Sequence, residues 1–170
     1  IIPLSKIFAD AEQQTKLMLA EIPKAKDDNA NLVSPRTLEN DQLKLVPSKD
    51  WTSGFFPGEL WFLYEYTKKK EWKDEAETFT AYIEKEKTNG STHDMGFKIY
   101  NSFGNGYKLT NDPHYKEVII QSAKTLSTRF NPKVGCLRSW DHHKEQWQYP
   151  VIIDNMMNLE LLFWATKVSH

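Results

Sequence analysis

The sequence predicts an all-α protein built from stacked helical hairpins. Three observations carry this. Apolar residues recur at three- and four-residue steps along most of the chain. Segments apolar on one side alternate with segments apolar nearly all round. Strand-like patterning is weak and confined to residues 134–151.

The first amphipathic helix runs from Leu4 to Ile22, with Phe8, Ala11, Thr15 and Met18 on its apolar side. From Pro23 to Asp50 the periodicity is lost in a polar stretch containing Asp27-Asp28-Asn29, Ser34-Pro35 and Pro47-Ser48. This reads as a long loop over 23–50, and loops of that length in a compact domain are functional or mobile. Residues 53–67 then carry Phe55, Phe56, Leu60, Trp61, Phe62, Leu63, Tyr64 and Tyr66 around a helix, which predicts an inner helix buried on most sides. Trp72, Ala76, Phe79 and Ile83 mark a one-sided outer helix that stops near Thr88-Asn89-Gly90. A second inner segment covers about Met95 to Tyr107, and Asp112-Pro113 opens an outer helix with Tyr115, Ile119, Ser122, Leu126 and Phe130. After the irregular 134–151 stretch, Asp154 begins a third inner helix reaching Val168. The order is therefore outer, inner, three times over. About three hairpins leave apolar inner faces uncovered, so the expectation is that residues 1–170 form part of a larger helical domain.

Composition narrows the function classes. The 22 basic and 23 acidic residues give a formal net charge of -1, which supplies no electrostatic footprint for nucleic acid. The single cysteine, Cys136, can make neither an internal disulfide nor a cysteine-based metal site. No apolar run approaches a membrane span, and the opening Ile1-Ile2-Pro3-Leu4 lacks the pattern of a signal peptide. Six Trp, seven Tyr and nine Phe exceed what an ordinary core needs; rings of this kind serve packing or carbohydrate platforms. No phosphate-binding loop and no His-Glu-x-x-His motif is present. The adjacent His142-His143 beside Asp141 point apart in most backbones and read as solvated rather than as a metal pair, so no metal is expected.

In an alternating array, every connection from an outer helix into an inner one opens at the same end. Three such junctions are legible: Asp50-Trp51-Thr52-Ser53-Gly54, Ser91-Thr92-His93-Asp94-Met95-Gly96-Phe97, and Val151-Ile152-Ile153-Asp154-Asn155-Met156. Two of them carry an acid just before the helix, and two carboxyl groups in one cleft suit sugar chemistry. Each acid also has a structural reading. Asp is a favoured N-cap, and spacing alone favours capping for Asp154 and leaves Asp94 evenly balanced. His93 reads on spacing alone as a satisfied loop imidazole.

At these junctions the chain resembles the unsaturated glucuronyl hydrolases, which complete the breakdown of polysaccharides after lyases have cut them. The matching strings are Asp50-Trp51-Thr52-Ser53-Gly54-Phe55-Phe56-Pro57-Gly58, Thr92-His93-Asp94-Met95-Gly96-Phe97, Arg138-Ser139-Trp140 and Asp154-Asn155-Met156-Met157-Asn158-Leu159, in family order. The resemblance implies an α/α toroid of six hairpins, of which residues 1–170 supply the N-terminal part. It implies that Asp154 acts as general acid and base, with Asp94 assisting, and that Trp51, His93 and Trp140 line the subsite of the terminal sugar. The implied reaction protonates C4 of the C4–C5 double bond in a terminal uronic acid and adds water at C5; the hemiketal then opens and releases the neighbouring sugar. It needs no cofactor and no metal. The implied partner is an unsaturated oligosaccharide, and the compartment stays open between bacterial periplasm and cytoplasm. The nearest rival is the unsaturated rhamnogalacturonyl hydrolase group, against which His93-Asp94-Met95-Gly96-Phe97 favours the glucuronyl type. A helical-repeat interaction or sugar-binding module, with both acids as mere caps, is the alternative of another class.

Overall fold

The computed structural model describes residues 2–169, so Ile1 of the opening string and the terminal His170 lie outside the described residues. Helix α1 spans Leu4–Lys26, one turn beyond the expected end at Ile22. Pro23 lacks an N–H and removes one hydrogen bond, but Lys24 and Lys26 favour the helix end, and the turn closes at Asp27 with a left-handed φ of 44°. Helices α2 (Phe55–Thr67) and α3 (Lys70–Ala81) form the next hairpin turn, followed by a 3-10 helix over Glu84–Thr88. A π-helical segment, Gly96–Gly104, passes directly into α4 (Asn105–Thr110). Helix α5 (Pro113–Ser127) begins as predicted, with the Asp112 side chain accepting from the His114 N–H at its N-cap. The chain then reaches α6 (Asn155–Asn158) and α7 (Glu160–Ser169), which replace the single helix expected from Asp154 to Val168.

Residues 23–50 are not the structureless loop read from the sequence. Strands β1 (Leu32–Glu39) and β2 (Gln42–Pro47) pair antiparallel across a turn at Asn40-Asp41. Both turn residues have positive φ, 50° and 58°, the primed two-residue turn whose twist matches a hairpin. The signal was hidden because Asp41 replaces the usual Gly, Pro35 and Pro47 lie within the strands, and two register irregularities interrupt the alternation. The hairpin holds the first junction: Ser34 Oγ donates to the Ser53 carbonyl (3.0 Å), and Ser53 Oγ donates to the Ser48 carbonyl (2.7 Å). A second, minimal strand pair, β3 (Phe130–Asn131) and β4 (Cys136–Leu137), precedes and enters the stretch where strand character was expected.

Two apolar clusters hold the helices. Phe56, Leu60, Trp61, Leu63, Trp72, Ala76 and Phe79 pack between α2 and α3, with Phe8, Met18 and Ile22 of α1 against them. Ile83, Met95, Ile99, Phe103, Val118, Ile119, Leu126 and Leu161 form the other. Thr15, on the apolar side of α1, is buried and donates to Glu59 Oε1 of α2 (2.8 Å). Burial of the inner helices is one-sided. Phe55, Phe62 and Tyr66 of α2 and Phe163 of α7 remain exposed, as do Ile153, Met156 and Met157 around α6. Among the described residues, no helix is long and apolar enough to cross a membrane.

One buried ion pair joins the first two junctions. Lys98 is fully buried and its Nζ lies 2.9 Å from Glu86 Oε2, while Ser48 Oγ and Asn89 Nδ2 donate to the same carboxylate (both 2.7 Å). Burial pushes the Glu86 carboxyl up, but Asn89, the Lys98 charge and Ser48 outweigh it and hold it below its ordinary 4.5. The folded chain therefore binds this proton less readily than the unfolded chain. The resulting stabilisation is present above pH 4.5 and is lost as pH falls through the folded value. Replacing Lys98 by Met strands the carboxylate and should lower stability by about 3–5 kcal/mol in urea unfolding at pH 7, and adding Glu86→Gln should restore much of the loss. Equal stability of Lys98→Met and the native chain would remove the pair from this role.

Candidate active site

The second and third junctions meet at His93, which is buried. Its Nε2 lies 3.0 Å from Asp94 Oδ1 and 3.6 Å from Asp154 Oδ2, and its Nδ1 lies 2.6 Å from Asn155 Oδ1. Its backbone N–H donates to the Ser139 carbonyl (3.3 Å). One imidazole thus brings together two carboxyl groups that lie 60 residues apart in the chain. The reading of His93 as a merely satisfied imidazole is half right: the ring is satisfied by Asn155 and Asp94, and Asp154 stands close by at 3.6 Å.

The two acids differ. Asp94 is held at both oxygens, by His93 at Oδ1 and by Thr92 Oγ at Oδ2 (2.6 Å). Burial pushes its carboxyl up, yet the hydrogen bonds from His93 and Thr92 and the positive charges of His93 and Lys98 prevail, holding it below its ordinary 3.8. Burial also pushes the His93 ring down, and here the Asp94 bond, the charges of Asp94 and Asp154, and Asn155 prevail, so it keeps its proton above the ordinary 6.5. Asp154 Oδ1 is buried without a hydrogen-bond partner among the described residues, although the side chain as a whole is 36% exposed. Neither acid acts as a helix cap through its side chain. The capping reading that spacing favoured for Asp154 is therefore overturned.

The aromatic candidates stand one contact further out. Trp51 is 46% exposed and packs against Phe55 and Phe97 (ring centroids 5.9 and 5.7 Å), with the Phe97 N–H donating to Asn158 Oδ1 (3.0 Å). The half-buried Trp140 follows Ser139, stacks on His142 (5.6 Å, 20°) and meets Trp147 edge-on (6.0 Å). Arg129 fixes this segment, donating to the Arg138 and Gly90 carbonyls (2.7 and 2.6 Å) and to Asp141 (2.9 Å). His142 and His143 lie with rings at 75° and take separate partners, Trp140 and Glu145. Atoms of His93, Asp94 and Asp154 all lie within 4.8 Å of one another, a spacing a cation could bridge.

Sequence reasoning passed over Thr92, Ser139, Asn155 and Asn158, although each stands in one of the matching strings. Ser139 Oγ accepts from the Ile152 N–H (3.1 Å) and from Asn155 Nδ2 (3.1 Å), so it joins Trp140's segment to Asp154's. Gly96 has a steric reason: a Cβ there would lie 2.7 Å from Asn158 Cα.

No protein-family model matches the chain. Over 140 residues, 82% of the chain, it is 55% identical to an unsaturated glucuronyl hydrolase of Formosa agariphila, covering 35% of that protein. It is 30% identical over 135 residues to an unsaturated chondroitin disaccharide hydrolase of Streptococcus pneumoniae, covering 78% of the chain and 34% of the relative. The chain therefore spans about a third of the length of these curated relatives. A crystal structure of an unsaturated glucuronyl hydrolase specific for heparin superposes with a TM-score of 0.79 at 41% identity, covering 94% of this chain and 43% of that one. The likeness places the helical hairpins in an α/α toroid, with two short strand pairs present beside the helices. At 55% identity over 82% of its length, this chain belongs to the unsaturated glucuronyl hydrolase family and matches an N-terminal portion of it.

Proposed function

We propose that the whole protein is a glycoside hydrolase that removes a 4,5-unsaturated uronic acid from the non-reducing end of lyase-generated oligosaccharides by hydrating the double bond. The observation that carries this is the unequal pair of acids around His93. Asp94 is tied at both oxygens, whereas Asp154 keeps an oxygen without a partner among the described residues. Hydration of an enol ether needs one carboxyl group that gives a proton to carbon and then, as carboxylate, takes one from water. Asp154 fits that cycle because its proton is not committed to a neighbour. Asp94 fits a fixed negative charge beside the developing oxocarbenium ion. The two carboxyl groups are not nucleophile and acid on a glycosidic carbon, so the separations typical of inverting and retaining enzymes do not apply.

His93 donates between the two acids, and Trp51 and Trp140 offer faces on which a sugar ring can stack and from which water is excluded. The chemistry draws on water and these side chains alone, with no cofactor. The relatives' names, a glucuronyl hydrolase, a chondroitin disaccharide hydrolase and a heparin-specific enzyme, support glycosaminoglycan fragments as the substrate class.

The test is a panel of unsaturated disaccharides of chondroitin and heparin type, offered to the full-length protein while the absorbance of the C4–C5 double bond is followed. Absorbance should fall with at least one of them, and none falling would end this reading. Asp154→Asn should lower kcat by about 100- to 10,000-fold with the circular dichroism spectrum unchanged; retained turnover removes Asp154 from the proton transfer. Trp140→Ala should act mainly through KM, lowering kcat/KM by about 2- to 12-fold. Unchanged kinetics would return that ring to a packing role.

A further inference from the structure

We propose that Asn155 is a positioning residue that sets the protonation pattern of His93, taking its Nδ1–H so that the ring meets the two carboxyl groups as a cation through Nε2–H. The direction of the Asn155 amide follows from its surroundings. Its Nδ2 lies 2.9 Å from the Leu137 carbonyl and 3.1 Å from Ser139 Oγ, and the side chain is buried. Turning the amide over would set its oxygen against the Leu137 carbonyl oxygen, two acceptors facing each other without a proton between them. Asn155 Oδ1 therefore points at His93, and at 2.6 Å the ring nitrogen opposite it must be the donor.

That choice fixes the other side of the ring. A neutral imidazole with its proton on Nδ1 would aim a lone pair at Asp94 Oδ1, 3.0 Å away, and at Asp154 Oδ2, 3.6 Å away. Such an arrangement is repulsive in a buried place and is relieved by a proton on Nε2 or on a carboxyl group. Thr92 Oγ donating to Asp94 Oδ2, and the buried positive charge of Lys98 acting on Asp94, favour Asp94 as carboxylate. The proton then resides on the ring. Among the described residues, Asp94, Asp154 and, through its charge, Lys98 are the titratable groups that bear on the pair.

His93 so held cannot serve as the base, and its proton helps to keep Asp94 as the carboxylate. Proton exchange with substrate and water is left to Asp154 alone. This consequence for turnover rests on the hydrolase reading, whereas the protonation pattern itself does not.

The experiment uses the full-length protein labelled with nitrogen-15 and correlates the His93 ring nitrogens with the ring carbon-bound protons across pH. At pH 6.5 the native ring should be more than half doubly protonated, and on titration it should keep its remaining proton on Nδ1. In Asn155→Ala it should lose its second proton at a lower pH than the native ring and keep the remaining one on Nε2. Asn155→Asp keeps an acceptor toward Nδ1 but sets its other oxygen against the Leu137 carbonyl, so its fold is checked by circular dichroism; with the fold kept, the ring should retain the Nδ1–H pattern and titrate above the native ring. A native neutral ring protonated on Nε2, or an Asn155→Ala ring that titrates as the native one does, overturns the proposal. Should Asn155→Ala fail to fold, the native tautomer and the Asn155→Asp titration decide. In the disaccharide assay the alkaline limb of kcat should move with the ring's titration in each variant. An inactive native protein would remove the hydrolase reading while leaving the nuclear magnetic resonance result to stand or fall by itself.

Discussion

The site depends on inner segments approaching one another more closely than a side chain would permit. At Gly54 a Cβ would lie 2.2 Å from the Lys98 carbonyl oxygen, and at Gly96 one would lie 2.7 Å from Asn158 Cα. These are backbone atoms, so no rotamer change could make room. Gly54 brings the start of α2 against the π-helical segment, and Gly96 brings that segment against α6. Through these two contacts the junctions bearing Trp51, His93-Asp94 and Asp154-Asn155 form one surface. The glycines recur immediately before inner helices because that is where backbones meet.

Polar groups complete what the glycines allow, and each is buried with partners. Glu86 gathers Ser48 from the hairpin's end, Asn89 from the loop before Thr92, and Lys98 from the π-helical segment. Arg129 gathers Gly90, Arg138 and Asp141 on the other side of the same loop. The Thr92-His93-Asp94 stretch is therefore held at both flanks before its own side chains make any contact. A shift of about 1 Å in a catalytic group is costly to rate, so the proposed function depends on this anchoring as much as on the acids.

The helical order was legible because it is written in periodicity: Trp72, Ala76 and Phe79 mark α3, Asp112-Pro113 opens α5, and the alternation of one-sided and all-round segments set the hairpins. The β1–β2 hairpin was not, since its turn uses Asn40-Asp41 and its strands carry proline. The π-helical segment was legible only as a short, ring-rich inner stretch, because one extra residue per turn leaves no sequence mark of its own. At the site, the acids could be chosen from their place before inner helices, and the flanking strings raised them above capping. Asn155 could not be chosen this way. It is one more polar residue at the start of a helix, and its importance lies in contacts with Leu137, Ser139 and His93, which no spacing rule brings together.

Asp154 shows why position before a helix was a poor guide to what the side chain does. An acid caps a helix when the first N–H groups lack partners. Here the chain enters α6 through a turn: the Asn155 N–H donates to the Ile152 carbonyl, the Met156 N–H to Ile153, and the Met157 N–H to Asp154 itself. The backbone has satisfied these donors before the carboxyl group is needed. Helix α6 is also a single turn ending at Asn158, so its dipole gives little added hold on a carboxylate. Freed from both claims, the Asp154 side chain turns toward His93. The exposed run Ile152-Ile153, with Ile153 86% accessible, thus shapes the candidate site through its carbonyl groups rather than its side chains. An apolar turn that occupies the helix's open donors leaves the acid beside it free for the proton transfer proposed for it.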